Sequence, residues 1–98
     1  MTHAITLQHW KDSKAFFDSF SRLGYHETYV VHIRVCRLRR DLGWDVERFD
    51  RLVHDLWNDG IILPLSGDRY TLTDEDVEQG FFDGNDRYDV LHWYPCRS

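Results

Sequence analysis

Between Trp10 and Leu23 the residues Trp10, Phe16, Phe17, Phe20 and Leu23 gather on one side of a helical wheel, with Lys11, Lys14, Asp18 and Arg22 turned away. This predicts a first amphipathic helix ended by Gly24. Thr28-Tyr29-Val30-Val31 is short, β-branched and aromatic, and predicts a brief strand or extended link. From about Ile33 to Leu42, the spacing of Val35, Leu38 and Leu42 predicts a second helix. It carries Arg37 and Arg40 on the opposite side and Arg34 and Arg39 on the flanks, with Gly43 as its stop. The next start is the best marked in the chain. Asp45 suits an N-cap, Glu47 suits the positive helix end, and Trp44 and Phe49 have hydrophobic-staple spacing. A third helix follows, with Val46, Phe49, Leu52, Val53, Leu56 and Trp57 on one stripe, until Gly60.

Beyond Gly60 the pattern changes to strands. Ile61–Leu65 and Arg69–Leu72, joined by Ser66-Gly67-Asp68, predict a small hairpin with Pro64 at an edge or strand end. Thr73-Asp74-Glu75-Asp76 has the form of a capping box, flanked by Leu72 and Val77 at staple spacing, and opens a short fourth helix. Asp83-Gly84-Asn85-Asp86 predicts a turn. Asp89–Tyr94, where Val90, His92 and Tyr94 alternate with Leu91 and Trp93, predicts a final strand.

Composition then limits the function classes. Ninety-eight residues, 42% hydrophobic and 15% aromatic, make one packed core and leave no room for two domains with a cleft between them. We read a single domain over residues 10–94, with short tails at 1–9 and 95–98. The net charge of −5 argues against a surface that coats a polyanion, but it is unevenly spread. Residues 1–57 hold nine Lys or Arg against eight acids, and residues 58–98 hold three against nine.

Two cysteines sixty positions apart make no disulfide framework and predict a reducing, cytoplasmic setting. The run Ile61-Ile62-Leu63-Pro64-Leu65 is far too short to span a membrane. The six histidines show neither helical i,i+4 pairs nor zinc-finger spacing to a cysteine, although His26 and His32 bracket the first predicted strand. The calcium-like start at Asp83 fails at its fifth position, which is Arg87. The consecutive acids Asp74, Glu75 and Asp76 suit a helix start better than acid/base catalysis. No phosphate loop, dinucleotide fingerprint or nucleophile elbow occurs. The expectation is a protein without catalytic residues, metal or cofactor.

The stretch Arg37-Leu38-Arg39-Arg40-Asp41-Leu42-Gly43-Trp44-Asp45-Val46-Glu47-Arg48-Phe49, followed by a hairpin around Ser66-Gly67-Asp68, resembles a winged helix-turn-helix domain in its layout. The resemblance covers residues 10–72 and implies an α+β fold: a three-helix core plus a β-hairpin wing, to which residues 73–94 add a short helix and a C-terminal strand. It also implies a transcriptional regulator reading duplex DNA with helix 45–59, in which the third helix enters the major groove. By position, the readers would be Arg48, Arg51, His54 and Asn58, with Arg37 and Arg40 on phosphates and Arg69 at the wing. Glu47 and Asp55 share the same face and offset its two arginines, and Arg37 has Asp41 at i,i+4. The residues also support a protein-binding module that uses the acidic, aromatic C-terminal segment. Phe81, Phe82, Tyr88, Trp93 and Tyr94 exceed what a short strand needs, and a terminal strand with a free edge would suit a homodimer or another protein partner.

Overall fold

The computed structural model describes residues 7–66 and 73–95 and has an α+β architecture. Helices α1 (Leu7–Leu23), α2 (Val35–Leu42) and α3 (Val46–Asn58) cover one face of an antiparallel sheet. The sheet holds β1 (Tyr25–His26), β2 (Val31–Arg34), β3 (Ile62–Leu65) and β6 (Val90–Trp93) in the order β1-β2-β6-β3. Between β3 and β6 the chain makes α4 (Asp74–Glu78) and a two-stranded hairpin of β4 (Phe81–Phe82) and β5 (Arg87–Tyr88).

Strand periodicity explains how the layers join. Val31 lies opposite Trp93 and Ile33 opposite Leu91, while Ile62 and Pro64 meet the same two β6 residues from the other side. This set faces the helices, where Phe16 and Phe20 of α1, Val35 and Leu38 of α2, and Phe49, Leu52, Val53 and Leu56 of α3 complete the core. His32, His92 and Leu63 form the matching row on the other face.

The joint between α2 and α3 follows from local chemistry. Gly43 sits at φ +66, the left-handed region where a side chain is strained, and its N–H donates to the Arg39 carbonyl at 2.9 Å. Asp45 then caps α3 by accepting from the Arg48 N–H at 2.7 Å. Gly24 follows the last residue of α1 as expected, its N–H donating to the Phe20 carbonyl at 2.9 Å, and a second cause fixes the residue type. A Cβ there would lie 2.5 Å from the Phe20 carbonyl and 2.6 Å from Val31, so the residue is small because α1 and β2 touch. The capping box of α4 forms as predicted: the Thr73 hydroxyl accepts from the Asp76 N–H and the Asp76 carboxylate accepts from the Thr73 N–H. Its expected staple partner Leu72 is outside the described residues, and Val77 is exposed.

Several expectations change. The strand expected at Thr28–Val31 forms at Val31–Arg34, three residues later, because Val31 and Ile33 supply the alternation the core needs, and a two-residue strand at Tyr25–His26 precedes it. The predicted strand Arg69–Leu72 lies outside the described residues, and the described neighbour of β3 is β6. Consequently the final strand has no free edge: Leu91 and Trp93 provide the inward face that both β2 and β3 require, so β6 is enclosed between them. Trp10 is 56% exposed, since burial along α1 begins only at Phe16. Val46 is 64% exposed and borders the open space between α3 and the β4–β5 hairpin, whereas Phe49 takes the buried place in that turn.

Candidate functional site

The outward arginines were the main signal for a polyanion site, and most of them are engaged within the chain. Arg39 places its guanidinium carbon over the Phe49 ring, 4.3 Å from the centroid, pairs with Asp50 at 2.6 Å, and donates to the carbonyls of Gln79 and Gly80. It joins α2, α3 and the segment after α4. Arg34 pairs with Asp76 at 3.1 Å, and Arg40 pairs with Glu75. Asp41 does not take Arg37. It accepts from the Ser19 hydroxyl and from Arg22 at 2.7 Å, because α1 runs alongside and offers both donors. Among the described residues the Arg37 side chain makes no ion pair and no hydrogen bond, and it is exposed.

Helix α3 presents fewer cations than its sequence implies. Arg48 turns back to Asp12, with contacts of 2.5 and 3.1 Å, and its guanidinium covers the Trp44 ring at 4.4 Å. The hydrogen bonds from Arg48 hold the Asp12 carboxyl below its usual pKa, against the opposing effect of burial. Arg51 is exposed, 3.9 Å from Glu47. His54 and Asn58 are exposed on the same side, and Arg69 lies outside the described residues. Thus Arg37, Arg51, His54 and Asn58 remain available, whereas Arg40 and Arg48 are already paired.

The aromatic set divides in the same way. Phe81 is buried against Trp57 at 6.2 Å, and Tyr88 packs on Trp57 at 5.3 Å. Trp93 packs on Phe17 at 4.7 Å and Phe20 at 5.7 Å. These three act in packing rather than as an open interface, because the β4–β5 hairpin and β6 use them to close the core over α3 and α1. Tyr94 is partly buried beside the His92 ring. Phe82, on the opposite face of β4 from Phe81, is 53% exposed.

Phe82 marks a feature absent from the expected site. A groove of about 500 Å³ runs between α3 and the hairpin, with Val46, Glu47, Arg51 and His54 on one wall and Phe82 and Asp83 on the other. A second space of about 330 Å³, between Asn58, His54 and Asp83, continues it. Asp83 is fixed there by accepting from the backbone N–H groups of Asp86 and Asn85, and those bonds hold its carboxyl below the usual range. The signal in the sequence was the pair Phe81-Phe82: strand alternation sends consecutive residues to opposite faces, so only one of them enters the core.

Elsewhere the side chains offer little chemistry. The buried Cys36 thiol is pushed up to about 11 by burial and by its hydrogen bond to Asp76, so it is protonated and unreactive at neutral pH. His32 approaches His92 rather than His26, with rings 5.4 Å apart, and Glu27 lies 2.8 Å from His32 Nε2. Burial, reinforced by His32, lowers the His92 pKa. Among the described residues no group of three or more His, Cys, Asp or Glu is placed to hold a metal ion. No helix among them is long and apolar enough to cross a membrane. Comparison with protein-family models, curated proteins and solved structures returns no match to this chain.

Proposed function

We propose that this chain is a winged-helix interaction module that docks a protein on the outer face of α3 and the β4–β5 hairpin, and does not read duplex DNA. The fold assignment draws on the order α1, β2, α2, tight glycine turn, capped α3, β3, with β6 completing a β2-β6-β3 sheet. On this reading the described residues 73–89, with α4 and the β4–β5 hairpin, belong to an enlarged wing.

The observation that carries the function is the intramolecular use of Arg34, Arg39, Arg40 and Arg48 on Asp76, Asp50, Glu75 and Asp12. DNA affinity rests on cations that neutralise phosphates and release counterions, and a cation already paired contributes little. On α3 itself Glu47 and Asp55 oppose Arg51, with Asp83 added from the hairpin, so the face that would enter a groove is acidic. Among the described residues the exposed, unpaired Arg37 favours the DNA reading, as do the exposed Arg51, His54 and Asn58 of α3.

Titration with a mixed-sequence duplex from low to physiological salt tests this. We expect only weak background binding, with no change on Arg37→Glu or Arg51→Glu. Tight, steeply salt-dependent binding lost in both variants overturns the proposal.

A further inference from the structure

Resting on the docking reading above, we infer that the partner is a short protein segment with one bulky apolar residue flanked by Lys or Arg, seated in the groove between α3 and the β4–β5 hairpin. Val46 and Phe82 expose apolar surface on opposite walls of this groove, 64% and 53% accessible. A facing apolar pair of this kind is an anchor pocket, and its natural filling is a single large apolar side chain.

Charge selects the flanks. Glu47 is 88% exposed and Asp83 is held ionised by the hairpin turn, while Asp55 and Asp86 extend the negative field along the helix and around the turn. Asp50 also lines the groove, but Arg39 neutralises it. Arg51 is the cation of the lining, and Glu47 faces it at 3.9 Å. An acidic segment or a phosphate backbone entering here meets like charge, whereas a basic segment finds Glu47 and Asp83 with, among the described residues, no cation closer than Arg51, 3.9 Å from Glu47. From Val46 to Asn58 the helix face is roughly 18 Å long, at about 1.5 Å per residue, which matches five or six extended residues.

The test is selection of a random twelve-residue peptide library displayed on phage against the full chain, counter-selected on a Glu47→Lys/Phe82→Ser double variant. Both positions are exposed, and circular dichroism confirms that the variant folds. We expect enriched peptides with an apolar residue between Lys or Arg. A synthetic copy of the most enriched peptide should bind Glu47→Lys and Val46→Ser at least about tenfold more weakly and lose affinity with salt. Arg51→Glu should bind it several-fold more tightly, a gain that a damaged fold would not produce. Enrichment of neutral or acidic peptides on this groove overturns the basic partner while leaving docking intact. Failure to enrich, or enrichment that the double variant shares, overturns the site itself and the docking reading with it.

Discussion

Asp76 is 1% exposed, yet its carboxylate is ionised. Burial acts to raise its pKa, but hydrogen bonds from the Cys36 thiol and from the Thr73 N–H and hydroxyl, together with Arg34, outweigh this and hold it below the usual value. One side chain thus caps α4 and fastens it to the start of α2. Replacing it by Asn turns an acceptor among four donors into a mixed group, and we expect Asp76→Asn to cost about 2–3 kcal/mol in urea unfolding. Because the folded pKa is depressed, the contribution of Asp76 is complete above the unfolded value near pH 4 and is lost as pH falls through the folded one. The stability of the variant should therefore fall less steeply below about pH 4, although Asp12, Asp41 and Asp83 keep part of the slope. Equal slopes in the two proteins would contradict this account. At this scale the arginine cluster was legible in the sequence but its neutralisation was not. Asp76, Glu75 and Asp50 are remote in the chain or on another helix, and no local rule pairs them with Arg34, Arg40 and Arg39.

At the scale of elements, legibility follows the range of the interactions. The α2–α3 joint depends on contacts between near neighbours, the Gly43 turn and the Asp45 cap, and both were readable from residue type. We expect Asp45→Ala to cost about 1 kcal/mol, measured as a lowered denaturant midpoint, with α3 still formed because its stability comes mainly from the buried stripe of Phe49, Leu52, Val53 and Leu56. A loss of α3 helicity in the variant would show that the cap has a larger role. Strand partnership was not readable in the same way. The described partner of β3 is Val90–Trp93, about twenty-five residues further on, whose Leu91 and Trp93 also satisfy β2, and no local pattern names so distant a strand. The groove was missed for a related reason: its walls come from α3 and from a hairpin some twenty-five residues later.

For the whole molecule, enclosure of β6 removes the pairing route by which a terminal strand joins a second copy. With Phe81 and Trp93 also drawn into packing, the aromatic C-terminal segment offers no broad self-complementary surface among the described residues. Sedimentation velocity across the micromolar range should therefore give a monomer throughout. A concentration-dependent dimer would require another surface, and the outermost described strands β1 and β3 and the outer sheet row of His32, His92 and Leu63 would be the next to probe.

The central position of β6 also bears on how the molecule assembles in time. The three helices, β2 and β3 precede it in the chain, so they are made and collapse against one another while the middle of the sheet is still missing. Two strands that never touch each other must wait for the last described one, and the loop closed when it arrives joins residues about sixty positions apart. Helix packing should be quick and local, and sheet closure slow and late. Until then Val31, Ile33 and Ile62 present bare backbone edges, so the interval before β6 docks is the period in which a nascent chain is most open to chaperone capture or self-association.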